Sequence, residues 1–311
     1  MTLDPILQAF VAASEAANAD RPAIPDATVA EARAGYEALA GLGAGPDLFS
    51  VADATIAGQA GEIPIRIYRP NGDTGEPGLV FYHGGGWTIG SLDSHDPECR
   101  KLAERSGCVV VAVDYRLAPE HPYPAAIDDS WAALQHIAAN AGDFGIDAAR
   151  LAVGGDSAGG NISAVMAIKA RDAGIALRQQ MLIYPAVDAR MGWPSHDENA
   201  EGPFLKKVTM EWFQLQYFSG EGAGRQEEVN ASPYLAETLA GVAPAVVITA
   251  EYDPLRDEGN AYATALMAAG VTVNATEWAG VAHAFFQLGP LLPHAEAVID
   301  HLAARLRAAM S

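Results

Sequence analysis

Cysteine is nearly absent: the 311 residues contain only Cys99 and Cys108. Neither belongs to a Cys-x-x-Cys pair or a cysteine/histidine cluster, which argues against a zinc site and a disulfide framework. Two isolated thiols suit a reducing compartment. Basic residues are also scarce, with 19 Lys and Arg against 39 Asp and Glu, a formal net charge of -20. Such a surface repels phosphate backbones and anionic headgroups, so neither nucleic acid nor an acidic membrane is an expected partner. The charge reads more simply as a solubility feature. No Lys or Arg precedes Arg21, whereas a secretory signal needs a basic start and then an unbroken apolar stretch. No run approaches the roughly 18–20 apolar residues of a membrane span. Internal repeats and low-complexity tracts are missing too. A soluble cytoplasmic protein without stable membrane insertion is expected.

What is present is a large potential core, since half the residues are hydrophobic. The first 50 residues read as helical, with Leu3, Ile6, Leu7, Phe10 and Val11 at helical spacing behind Asp4 and Pro5. Pro22, Pro25 and the run from Gly41 to Pro46 break this region into short pieces. From residue 63 the character changes. Ile63, Ile65 and Ile67 alternate, and short continuous apolar runs follow at 78–83, 108–115, 150–155, 180–185 and 244–253, with a similar segment at 271–278. Runs of this length mark strands covered on both faces. Helical patterns fill the gaps at about 94–106, 124–140, 159–174, 257–270 and 293–309. Alternating strands and helices predict βαβ units and a mostly parallel central sheet flanked by helices. Residues 190–232 interrupt the rhythm with a loop and one aromatic-rich helix at 208–218. The prediction is one α/β domain over 1–311, with a helical cap formed by about 1–50 and 190–232.

The chemistry concentrates in a few segments. Gly155-Asp156-Ser157-Ala158-Gly159 is a G-x-S-x-G placed between an apolar strand and a helix-compatible segment. That placement suits a nucleophile elbow, a turn so sharp that only small residues fit two before and two after the serine. Phe81-Tyr82-His83-Gly84-Gly85-Gly86-Trp87 ends another buried strand. Three consecutive glycines cost conformational entropy and imply a backbone no side chain permits, as an oxyanion hole of N–H groups requires. A serine nucleophile needs a base oriented by an acid, in the chain order Ser, Asp or Glu, His. Of the downstream histidines, His294 and His301 fall in the last helix and read as surface. His196 lies in a polar loop and could equally be solvated. His283, just after the last strand, holds the loop position a base needs. Asp253 sits at the C-terminal edge of its strand, where catalytic groups collect in open parallel sheets. Asp257 and Glu258 read as acids opening the next helix, and Glu251 as structural.

In this order and combination the motifs HGGGW (83–87), YRLAPEHPYPAA (115–126), GDSAGGN (155–161), EYDPLRDEG (251–259) and HAF (283–285) resemble those of the bacterial hormone-sensitive-lipase-like carboxylesterases. The resemblance runs from about 63 to 303. It implies the α/β-hydrolase fold and hydrolysis of short- to medium-chain acyl esters without a cofactor. By the family's pattern Ser157 is the nucleophile, Asp253 the triad acid and His283 the base. The oxyanion donors are then drawn from Gly84, Gly85, Gly86 and Ala158, with Gly85 and Gly86 favoured within the triplet. His83 reads as a support for the loop. Ala284 departs from the pattern, where glycine is common. Arg116, Glu120 and His121 read as a buried polar network.

The expected reaction is acyl transfer through an acyl-enzyme, acting on a small-molecule ester. The same triad serves an amidase, deacetylase or lactonase equally well. A non-catalytic receptor of this fold is disfavoured by the presence of His283. Association as a homodimer is left open. For the acyl pocket the candidates are Trp87, Phe204, Leu205, Trp212 and Phe213, of which Trp212 and Phe213 serve equally well as packing between cap and core.

Overall fold

The buried apolar runs become the inner strands of one sheet in a computed structural model that describes residues 2–17, 22–40, 43–289 and 291–311. Residues 41 and 42, part of the expected break after the second helix, lie outside them. The strands are β1 (Ser50–Gly58), β2 (Gly61–Arg69), β3 (Glu76–Tyr82), β4 (Val109–Val113), β5 (Ile146–Asp156), β6 (Gln179–Ile183), β7 (Ala245–Tyr252) and β8 (Val273–Ala282). They form an eight-stranded sheet in the order β1-β2-β4-β3-β5-β6-β7-β8. β1–β2 and β2–β4 pair antiparallel, and every other pair is parallel.

Each inner strand feeds two cores. Val80 and Tyr82 of β3 join Val109, Val111 and Val113 of β4 on one face. Leu79, Phe81, Val110 and Ala112 point to the other. This period-2 alternation, apolar on both sides, explains the continuous apolar runs. Helices α4 (Ala125–Ala139) and α5 (Ala158–Ala173) cover the first face. α3 (Asp96–Ser106) and α9 (Pro293–Met310) cover the second, and α8 (Arg256–Ala268) packs beside β7 with Tyr262, Ala263 and Leu266. β1 carried no strand signal. It is an edge strand with only Ile56 buried, so its face to solvent holds small and polar residues.

The first segment supplies α1 (Pro5–Ala17) and α2 (Val29–Ala40). Asp4 starts α1 by accepting the N–H groups of Ile6 and Leu7 at 2.8 and 3.1 Å. Thr28 and Glu31 form a reciprocal capping box on α2. The later insertion supplies α6 (Pro194–Glu198) and α7 (Lys207–Tyr217). Ala32 of α2 is buried with Met210, Trp212 and Phe213 of α7 and with Leu255. None of the described helices is long and apolar enough to cross a membrane.

Several polar residues sit differently from their expected places. His196 is not solvated: it is 1% exposed on α6, with Nε2 2.9 Å from Oε2 of Glu258. Glu258 is equally buried, and its other oxygen accepts the N–H of Val187 at 2.6 Å. A polar sequence context misled here, because the imidazole finds its partner in Glu258, 62 residues further on. His294 and His301 are half-buried rather than on the surface. Arg116 does pair with the buried Asp129 at 2.8 Å, but Glu120 and His121 are exposed. Glu258→Ala strands His196 without a partner and should destabilise the fold by about 3–5 kcal/mol. Urea unfolding measures this, and a loss under about 1 kcal/mol would show that the pair contributes little.

Candidate active site

The parallel strands β3, β5, β7 and β8 end on one edge of the sheet, and each delivers one part of the constellation there. Ser157 occupies the turn between β5 and α5 with φ 54° and ψ -116°. A non-glycine residue at such angles is strained and persists only where its surroundings over-determine it. Its N–H donates to the carbonyl of Ile183 at 2.8 Å, and its carbonyl accepts the N–H of Asn161 at 3.0 Å. The elbow also presses against the end of β3. A Cβ at Gly159 would stand 1.9 Å from the carbonyl oxygen of Tyr82, and one at Gly155 2.3 Å from the same atom. The glycines of the motif are therefore required by contact with β3, as well as by the turn itself.

His283 follows β8 and Asp253 follows β7. The Nδ1–H of His283 donates to Oδ2 of Asp253 at 2.7 Å, and Nε2 lies 3.0 Å from the Ser157 hydroxyl oxygen. Asp253 is wholly buried, and its Oδ1 accepts the N–H of Leu255 at 2.8 Å. With Nδ1 protonated, Nε2 is the free base that faces the serine. The neighbouring acids are engaged elsewhere. Asp257 accepts the N–H of Ser195 at 3.0 Å, and Glu251 accepts that of Gly280 at 2.7 Å. Ala284 sits at φ 64°, a left-handed conformation in which glycine is at ease and alanine is not.

The glycine loop after β3 divides its work. The N–H of Gly84 donates to Oδ1 of Asp156 at 2.9 Å, so Gly84 is not an oxyanion donor. The motif alone gave no sign of this, because the acceptor is the residue before the nucleophile. The N–H groups of Gly85, Gly86 and Ala158 have no acceptor among the described residues, and all three residues line the cavity at Ser157. Gly86 lies so close to the cap that a Cβ there would meet the ring of Phe213 at 2.2 Å. His83 supports the loop: its Nδ1 is 2.7 Å from the carbonyl oxygen of Gly84, and its ring stacks on Tyr115 at 4.4 Å. Burial, reinforced by nearby His95, holds the His83 imidazole down at about 4, so it is neutral at ordinary pH.

Above the serine lies a cavity of about 310 Å³. Trp87, Phe204, Leu205 and Phe213 line it, whereas Trp212 is buried among cap residues and does not. Sequence reasoning missed Tyr36, Met191, Met210 and Gln287, which also line it. They are scattered over separate segments with no motif to join them. Among the described residues no lysine or arginine lines the cavity. Its acids are Asp156, Asp188 and Glu258, and Asp188 is neutralised by both ends of the Arg190 guanidinium.

Asp156 also accepts a hydrogen bond from Nε2 of His95 at 3.0 Å, both side chains being almost wholly buried. The Ser94 hydroxyl donates to the Ser91 carbonyl, so its oxygen accepts Nδ1–H of His95 at 2.8 Å. Proximity to the Asp156 carboxylate favours the charged form of the His95 imidazole. Burial opposes that charge, but Asp156, with Glu98 and Glu37 behind it, raises the histidine above its ordinary 6.5. A raised folded value means that the pair's stabilisation is full below about pH 6.5 and is lost as pH rises through that higher value. Urea unfolding at pH 6, 7.5 and 9 should show this alkaline decline in the native chain and a flatter profile in His95→Gln. Parallel profiles would show that His95 is not charged.

Comparison with known proteins places this constellation. The sequence model of a family described as alpha/beta hydrolase fold matches residues 79–287. The chain is 43% identical to the carboxylic ester hydrolase LipN of Mycobacterium tuberculosis, over 100% of this chain and 84% of that one. It is 38% identical to an ethyl acetate hydrolase of Pseudomonas putida, over 95% and 96%. Among solved structures, the hyperthermophilic esterase of the archaeon Pyrobaculum calidifontis superposes with a TM-score of 0.93 at 42% identity, over 99% of each chain. The chain belongs to the α/β-hydrolase family, in its hormone-sensitive-lipase-like carboxylesterase branch.

Proposed function

We propose that the protein hydrolyses carboxylic esters of short to medium acyl chain through an acyl-enzyme on Ser157. The observation that carries this reading is Nε2 of His283 lying 3.0 Å from the Ser157 hydroxyl oxygen while Nδ1 lies 2.7 Å from Oδ2 of Asp253. Hydrolysis of esters is also what the names of the relatives from Mycobacterium tuberculosis and Pseudomonas putida state of those proteins. His283 takes the Ser157 proton as the oxygen attacks the ester carbonyl. The negative charge then develops against the N–H groups of Gly85, Gly86 and Ala158, at the N-terminus of α5, where the helix dipole favours it. His283 next protonates the leaving alcohol. Water enters by the same route, reversed, and releases the acid. Asp253 keeps the imidazole in one tautomer throughout.

The cavity defines the substrate class. Its size suits a short acyl chain and a small alcohol, and its walls are chiefly apolar. With no lysine or arginine among the described residues that line it, an anionic ester would lose its hydration without a partner there. Neutral esters are therefore the substrates.

Ser157→Ala should retain the fold and lose several orders of magnitude in activity. An organophosphorus ester should label Ser157 once per chain. Asp253→Asn should lower kcat about 10⁴-fold, while Asp257→Asn costs far less. If Asp257→Asn were the more damaging change, the acid would be misassigned. A butyrate ester and the hemiester of a dicarboxylic acid of similar size should differ in kcat/KM by at least about tenfold in favour of the neutral one. Equal rates would sink the exclusion of anions.

A further inference from the structure

The cap helix α2 reaches into the loop that carries the oxyanion donors. Arg33 Nε–H donates to the carbonyl of Thr88 at 2.9 Å, and Nη2–H to that of Ala118 at 3.0 Å. The peptide that begins with the Thr88 carbonyl ends in the N–H of Ile89, because a peptide unit is planar and trans. The N–H of Ile89 donates to the carbonyl of Gly85 at 2.9 Å, joined there by the N–H of Thr88 at 3.0 Å. The Gly85 carbonyl in turn shares its peptide plane with the N–H of Gly86. The Thr88 hydroxyl, wholly buried, closes the turn onto the carbonyl of Gly86 at 3.0 Å. Ala118, the other residue that Arg33 grips, donates its N–H to the Trp87 carbonyl at 2.9 Å.

A guanidinium therefore stands at one end of two hydrogen-bonded peptide planes and the Gly86 N–H at the other. Hydrogen bonds in such a chain polarise one another, and a cation on the terminal carbonyl strengthens donation at the far N–H. The arrangement also fixes direction, since rotating the Gly86 N–H means breaking the bonds to the Gly85 carbonyl. We propose that Arg33 is a positioning residue for the oxyanion hole, so that docking of the cap sets the aim and strength of the Gly86 donor. This rests on the ester-hydrolase reading of the site and adds the cap to its machinery. Glu120 pairs with the outer side of the same guanidinium at 2.7 Å but is 54% exposed. It serves as a control, because removing it weakens the cap's ion pair and leaves both carbonyl contacts in place.

The test compares the native protein with Arg33→Met, Arg33→Lys and Glu120→Gln in hydrolysis of p-nitrophenyl butyrate and in the rate of organophosphate labelling of Ser157. Arg33→Met should lower kcat and the labelling rate about tenfold or more, because it disturbs an oxyanion donor. KM should stay within roughly threefold, as expected for an interaction made chiefly in the transition state. Arg33→Lys, which keeps the charge, should recover part of the loss. It also carries the test alone if Arg33→Met does not fold. Glu120→Gln should behave as the native protein. An active native protein whose Arg33→Met keeps its kcat, or loses only through KM, overturns the role of Arg33, as does an equal loss in Glu120→Gln. A native protein that neither hydrolyses the ester nor is labelled at Ser157 overturns the ester-hydrolase reading itself, and the role of Arg33 with it.

Discussion

One buried carboxylate ties the site together. Asp156 ends β5 immediately before the nucleophile, yet its Oδ1 alone holds both the N–H of Gly84 at 2.9 Å and the imidazole of His95 at 3.0 Å. Two loops from adjacent strands, one bearing Gly85 and Gly86 and the other Ser157 and Ala158, are thereby held at a fixed separation. An unpaired carboxylate at this depth would be prohibitively costly. The histidine that pays this cost is itself held by Ser94, so the segment between β3 and α3 is drawn into the same arrangement. The strain at Ser157 is tolerable because its surroundings are fixed in this way on both sides.

The parallel sheet was legible because its strands are buried on both faces. Val109 to Val113 has no solvent side to encode, so an unbroken apolar run is its only possible pattern. β1 was not legible for the converse reason: at the sheet edge only Ile56 needs to be apolar. The meeting of Ser157, Asp253 and His283 was legible because each sits at a strand end whose position the runs had already marked. The fate of the Gly84 N–H and the pairing of His196 with Glu258 depend on residues 72 and 62 positions away. No local pattern carries such a contact. The cavity wall was half legible. Phe204, Leu205 and Phe213 stood out as aromatic or apolar residues in the insertion, but the same property describes Trp212, which packs inside the cap. Hydrophobicity marks a residue for burial and does not say against what.

The chain's acidity and its apolar cavity are separate features of one design. With twice as many acids as bases, the surface field repels anions at long range. Among the described residues no lysine or arginine lines the cavity, so anions find no partner at contact either. The few arginines near the site are spent on protein groups: Arg190 on Asp188, Arg33 on two backbone carbonyls and Glu120. In this region a guanidinium thus holds a loop in place and leaves none of its charge facing the substrate.

The division between sheet and cap follows from what each can hold still. Strand ends in a doubly covered sheet are among the most rigid positions in a fold, and the triad needs placement to within about half an ångström. Helices α2 and α7 pack on each other above the site, and short helices of this kind are marginal on their own. They suit a wall that must admit and release substrate. Such a wall usually costs precision at the centre, because a loosely held element cannot orient a donor. Here α2 offsets that cost with contacts to backbone as well as to side chains. Arg33 grips the Thr88 carbonyl of the glycine loop and the Ala118 carbonyl, and Tyr36, one turn later, donates its hydroxyl to the Gln287 side chain at 3.0 Å. Backbone atoms of a strand-anchored loop move little, so an exposed helix fastened to them inherits their order.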